Sequence, residues 1–371
     1  MLIAFSFFQF GIMQPLAILL GSQLIIAVST IFIFILLLII YKFKLKRYLY
    51  IFIVIITIVF LVNYFIYDSR EVTLIIYWEF LLKSCSLFII GSFPFKTYYL
   101  KKYFYTFSII NFISLASIIF LGYIESISYM RFGYAMLPTV LVSIYALYEN
   151  RSKKLIWLIL IILSFLLMFI YGSRGPLLGL LIFLIIILFF NANVTIVKKI
   201  LFLMLLILSY VYLFIFNGIG KFLDFLYFDL NFKTYSIIKL RMMIDRGLAE
   251  SSSGRDELYK NFSSQILENP IFGNGIGITQ ELWGITPHNI FLQTLLEFGI
   301  IGLVITIVLG ILYINILAKI RKADNNLFFI LAIILSVSVG RLLISSDLWL
   351  RQELWLLISM SINAYIITKN V

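Results

Sequence analysis

Charge is what this sequence has least of. Only 12% of its 371 residues are Asp, Glu, Lys or Arg, against roughly a quarter in an ordinary soluble domain. Cysteine is nearly absent as well. Cys85 stands alone in an apolar run, which excludes an intrachain disulfide, a cysteine zinc site and a thiol relay. There is one histidine, and no cluster of acidic or imidazole groups suited to a catalytic metal. The first apolar stretch lacks both a basic leader and a small-residue cleavage site, so it reads as a retained span. Internal repeats and low-complexity tracts are missing too.

What remains is hydrocarbon. Hydrophobic residues make up 63% of the chain, and mean hydropathy is +1.09. A helix crosses the bilayer core in roughly 20 apolar residues. Suitable stretches are 3–20, 22–41, 49–66, 73–92, 102–121, 132–149, 155–171, 176–191, 199–216, 288–318, 326–343 and 350–368. The expected fold is therefore all-α, a single membrane domain over 1–371 with about a dozen transmembrane helices. Residues 217–287 form the one long stretch outside the membrane, between the ninth and tenth spans.

The formal charge of +12 is mostly a topology signal. Lys42, Lys44, Lys46 and Arg47, then Lys96, Lys101 and Lys102, then Arg151, Lys153 and Lys154 fall in alternate loops, as do Lys198, Lys199, Lys319, Arg321, Lys322 and Lys369. Cytoplasmic loops carry such excess. Both termini are expected inside and 217–287 outside, with no nucleic-acid surface and the lipid bilayer itself as a partner.

Outside the membrane there is no ATP, so an enzyme there must take an already activated substrate. Thr286-Pro287-His288-Asn289 opens the tenth span. Threonine suits an N-cap and proline the first helical position, which would set His288 and Asn289 in the first turn, where free N–H groups and the helix dipole favour an anion. His288 titrates near neutrality and can accept or donate a proton. Gln293 and Glu297 follow Asn289 at four-residue spacing as one polar stripe. Glu297 would lie about 13 Å below His288 and tie helices together, because a carboxylate inside a span needs a partner. Gly299 and Gly302 should permit close helix packing.

Before this span, Ser253 and Asp256 have capping-box spacing, and Leu258, Phe262 and Ile266 recur every four residues. A short amphipathic helix should begin near Arg255 and end near Asn269-Pro270, followed by a turn through Gly273, Gly275 and Gly277. Those glycines do not match a nucleotide-binding spacing. Tyr171-Gly172-Ser173-Arg174-Gly175-Pro176 is a tight outward turn. Arg241, Arg246, Arg341 and Arg351 also fall outside, against the lysine-inside bias. Guanidinium groups grip phosphate in bidentate fashion. Arg351 reads as an interfacial anchor, and Glu79 with Lys83 as a structural ion pair.

The run SGRDELYKNFSSQILENPIFGNGIGI, followed by TPHNIFLQTLLEFGIIGLVI, resembles the signature region of the O-antigen polymerase and ligase superfamily. It carries an SGR arginine, an Asn-Pro and G-x-G turn, a His-Asn pair opening a helix, and E-x-G-x-x-G within that helix, all between Ser253 and Gly302. Ser173-Arg174-Gly175 matches the family's upstream turn. The resemblance implies a GT-C-related membrane glycosyltransferase of the bacterial inner membrane, needing neither metal nor cofactor. Its substrate would be an undecaprenyl-diphosphate-linked oligosaccharide, and a chain-length regulator is a possible partner. The diphosphate-binding arginines would fall on Arg174 and Arg255, helped by Arg241, Arg246 and Arg341. The essential histidine would be His288, with Asn289, Gln293 and Glu297 in support.

Polymerase and ligase share these motifs. The short chain, rich in Ile, Phe, Tyr, Lys and Asn, inclines the reading to a polymerase. A flippase, with Glu79 and Lys83 on its path, would instead show related halves and discontinuous helices near the midplane. No half-repeat is visible, and the polar residues gather at one face.

Overall fold

In a computed structural model, each predicted span except 199–216 coincides with a helix. The structure describes residues 1–149, 153–190, 195, 199, 201, 204, 218–250, 255–345 and 347–369, without the side chains of 246–250, 255–257, 259 and 368–369. The 199–216 span lies largely outside these. Helices α1 (Leu2–Leu19), α2 (Leu24–Ile40) and α3 (Arg47–Ile66) lead into α4 (Arg70–Ser92), which contains a π-helical turn over Phe80–Cys85. Next come α5 (Thr97–Phe120), α6 (Tyr129–Glu149), α7 (Lys154–Tyr171) and α8 (Gly175–Phe190). Four shorter helices follow: α9 (Gly218–Asp224), α10 (Tyr235–Glu250), α11 (Arg255–Glu268) and α12 (Ile278–Trp283). The chain ends with α13 (Ile290–Ala323), α14 (Asn325–Leu342) and α15 (Gln352–Lys369).

Among the described residues, eight helices are long and apolar enough to cross a membrane, while Leu24–Ile40 and Gly175–Phe190 are apolar but shorter. The protein is an all-α polytopic membrane protein. Burial sorts the helices into centre and rim. α6 and α14 are buried along most of their length, with Phe132, Leu137, Leu141, Phe329 and Ile333 in one core. The far half of α13 instead exposes Ile305, Leu309, Leu312 and Ile314, an apolar face that only lipid can cover.

The two ends of the bundle differ. At the lysine-rich end, Lys101 pairs with Glu149, Lys46 with the Asn363 amide, and the Tyr145 hydroxyl donates to Asn326 at 2.9 Å. At the opposite end, the start of α4 grips the glycine-rich loop: Ser69 and Thr73 donate to the Ile276 carbonyl at 3.1 and 3.0 Å, and the Ile276 N–H donates to Asn63 at 2.9 Å. The four short helices belong to this second end.

Candidate functional site

The second end is built around a broken helix. Inside α13, Gly299 sits at φ 64° and ψ −160°, which interrupts the helical ladder. Broken ladders leave orphan groups, and inside a membrane these must find partners. The loop after α11 supplies them. Asn274 and Gly275 N–H groups donate to the Leu296 and Glu297 carbonyls at 2.8 and 3.0 Å, while the Ile300 and Ile301 N–H groups donate to Pro270 and Ile271 at 2.9 and 3.3 Å. Gly299 therefore acts by breaking the helix rather than by the close packing expected of it. A β-carbon on Gly299 would collide with the Ile271 carbonyl, and one on Gly273 with the Phe298–Gly299 backbone. Discontinuous helices are also a transporter device. Here the gap is filled by the chain's own loop.

The polar stripe forms as expected. Gln293 and Glu297 are both buried. The Gln293 amide donates to Glu297 at 3.0 Å and to Asp347 at 2.9 Å, and its carbonyl accepts from the Leu348 N–H at 2.9 Å. Trp349 donates its indole N–H to Glu297 at 2.9 Å. Asp347 caps its own turn, accepting from the Trp349 and Leu350 N–H groups at 2.8 and 3.2 Å. Burial pushes its carboxyl up to about 6, opposed by those hydrogen bonds. Gln293 and Glu297 thus lock the 343–351 loop to α13.

The start of α13 departs from expectation. The N-cap is Asn289, not Thr286, and its carboxamide accepts from the Phe291 and Leu292 N–H groups at 3.0 and 3.2 Å. Those donors are consequently taken and do not await an anion. His288 lies one residue before the cap in the left-handed region at φ 56°. Its Nδ1 lies 3.2 Å from the Thr286 hydroxyl. The Asn289 amide reaches the Leu343 carbonyl at 3.4 Å, which sets His288 beside the end of α14.

At that end stands a group that spacing did not reveal. The Arg341 guanidinium stacks on the Tyr134 ring at 4.9 Å, and the Ser345 hydroxyl donates to the Tyr134 hydroxyl at 2.8 Å. Gly175 packs against that same hydroxyl, leaving no room for a side chain there, so the turn bearing Arg174 abuts Tyr134 of α6, on which Arg341 of α14 also rests. Arg174 itself reaches Met243 of α10, and Ser236 at the start of that helix donates to the Gly172 carbonyl at 2.5 Å. The charged groups that act on Arg341 are Arg351, Glu353 and Arg131, so with Arg341 itself three guanidinium groups stand against one carboxylate. Its buried Nε–H has no hydrogen-bond partner among the described residues. Arg351 is not an interfacial anchor. It is buried at 8% exposure and pairs with Glu353 at 2.6 Å, because the turn after Asp347 folds it inward.

Other expected residues stand elsewhere. Arg241 pairs with Asp224 at 3.0 Å and stacks on Tyr227 and Phe228, which balances its charge there. Arg255 is the first residue of α11, as the periodicity predicts, but its side chain and that of Arg246 lie outside the described residues, as do Ser251 to Gly254. Glu79 and Lys83 form the expected ion pair at 2.7 Å. Tyr134, Ser345 and Asp347 carried no motif. Their only sequence signal was polarity near the end of a span.

The site is a cationic cluster at one end of a polytopic helical bundle, with a helix break and one imidazole at the same end. The model of the O-antigen ligase family matches residues 158–307, running from within α7 past the break in α13. The match supports the resemblance to the O-antigen polymerase and ligase superfamily, whose members are membrane glycosyltransferase-like enzymes. No curated protein and no solved structure matches this chain.

Proposed function

We propose that this protein polymerises undecaprenyl-diphosphate-linked oligosaccharide repeat units at the outer face of the bacterial inner membrane, by inverting and metal-independent transfer. One observation carries the reading: arginines outnumber carboxylates around Arg341, and this cluster adjoins the Arg174 turn and the His288–Asn289 segment, both of which lie inside the residues matched by the family model. Such a cluster calls for a multiply charged anion, and a lipid diphosphate brings one to the membrane surface.

The acceptor hydroxyl attacks the anomeric carbon opposite the diphosphate. A glycosidic C–O bond forms, the C–O bond to the diphosphate breaks, and the lipid diphosphate leaves with the bonding electrons. Arg174, Arg341 and Arg255 neutralise it, each well-placed donor contributing about 3–4 kcal/mol. His288 orients the acceptor hydroxyl and takes its proton, a factor of about 10²–10⁴.

The test is complementation of a null strain. His288→Ala and Arg174→Ala should each lower polymer yield at least about a hundredfold with unchanged protein level. Wild-type chain length and yield in both variants would end this assignment. The description of the matched family favours a second reading, transfer of finished glycan to lipid A–core. The deletion strain separates them: a single repeat on the core marks a polymerase, and glycan stranded on undecaprenyl diphosphate marks a ligase.

A further inference from the structure

Near the Arg174 turn lies a cavity that the proposed chemistry does not use. It has a volume of about 530 Å³, within the range of roughly 300–1,000 Å³ usual for small-ligand sites. Its walls come from three places in the chain: the α5–α6 connection with Glu125 and Tyr129, the end of α7 with Tyr171, and the α9–α10 connection with Asn231, Phe232 and Tyr235. Two hydroxyls tie it to the reaction end: Thr234 donates to the Ile170 carbonyl at 2.7 Å, and Ser236 to Gly172 at 2.5 Å. The cavity and Arg174 thus share the Tyr171–Gly172 segment as a wall.

We propose that this cavity holds the oligosaccharide of the substrate. A pyranose offers two kinds of surface at once, a C–H face and a rim of hydroxyls. Polarised C–H groups settle on the negative face of an aromatic ring. The Tyr129 and Tyr235 rings, from two different helices, meet at 4.8 Å and 47° and present an angled platform. The hydroxyl rim needs acceptors and donors that the protein has not already used. Among the described residues, the Glu125 carboxylate, the Asn231 amide and the Tyr129 and Tyr171 hydroxyls make no hydrogen bond or ion pair with another side chain or the backbone, whereas the Thr234 and Ser236 hydroxyls are committed. Asn231, at φ 55°, sits where the chain turns into this wall. An acyl chain would leave that polar set unmatched, and the charges on the lining, Lys233 against Glu125, sum to zero, which favours a neutral polyol over a second diphosphate.

The inference rests on the glycosyl-transfer reading, so its test includes that reading as a separate arm. The probe is the repeat-unit glycan released by mild acid from the host strain's lipid-linked pool. Binding to the full-length protein in nanodiscs is followed by saturation-transfer NMR. Tyr235→Ala and Glu125→Gln, both at exposed positions, should weaken binding at least about fivefold, the loss that marks an anchoring contact. Tyr129→Phe, which keeps the ring, should lose less than Tyr235→Ala.

Turnover then separates the two ends of the substrate. A raised KM for soluble glycan alone makes this the acceptor subsite, and a raised KM for the lipid-linked donor alone makes it the donor's glycan subsite. No binding to wild type, or equal binding to Tyr235→Ala and Glu125→Gln, overturns the inference. Full polymer synthesis by His288→Ala and Arg174→Ala overturns the reading beneath it instead.

Discussion

At the scale of single residues, burial decides what a charge can do. Arg351 and Glu353 expose only 10% and 17% of their side chains. Arg351→Met removes one partner and strands a buried carboxylate, at a cost of about 3–5 kcal/mol. Thermal unfolding in detergent should show a clear fall, largely restored in Arg351→Met/Glu353→Gln. Asp347 works through pH. Its folded value, raised by burial to about 6, exceeds the unfolded value of roughly 3.9. Unfolding releases its proton across that window, so this stabilising contribution is complete below about pH 4 and is lost as pH rises through about 6. Melting followed by tryptophan fluorescence should decline over that interval in wild type and decline less in Asp347→Asn. Equal slopes would remove the argument.

At the scale of elements, the break in α13 is the feature on which the site depends. It turns the chain back to meet the 270–275 loop, and it requires φ 64° at Gly299. Gly299→Ala costs about 1–3 kcal/mol, because φ 64° with ψ −160° is a backbone region open essentially to glycine alone, plus displacement of Ile271. Gly310 offers a control further along the same helix, with nothing within 4 Å of an added β-carbon. Gly310→Ala should be neutral or stabilising by up to about 1 kcal/mol. The expected result is a lowered melting point and lost polymer for the first and neither for the second. E-x-G-x-x-G was legible in the sequence as a motif, but its meaning was not. Spacing suggested packing glycines, because a β-carbon collision with a loop some 28 positions upstream, Ile271, exists only after folding. The same holds at the cap, where Asn289 displaced Thr286 through hydrogen bonds that the sequence order alone does not rank.

At the scale of the whole molecule, the orientation of the bundle is the open question that chemistry can answer. The lysine-rich end should face the cytoplasm and the arginine-rich end the exterior, following the asymmetry of cytoplasmic loops. With Cys85 buried and alone, a Cys85→Ser background supports single reporters. Tyr235→Cys should react with a membrane-impermeant maleimide on intact spheroplasts, and Lys44→Cys only after permeabilisation. The reverse pattern would place the site inside the cell and remove the lipid-linked exterior substrate.

Sequence by itself determined the helices and their alternation, because a bilayer forces every spanning backbone to satisfy itself locally, and periodic hydropathy is a local property. It also determined which histidine and which signature segment to watch. Only the tertiary structure decided that Tyr134 joins Arg341 to the Arg174 turn, that Arg351 turns inward, and that the 270–275 loop completes a broken helix. Those are contacts between distant stretches, set by how packed helices meet and by which buried polar groups find each other.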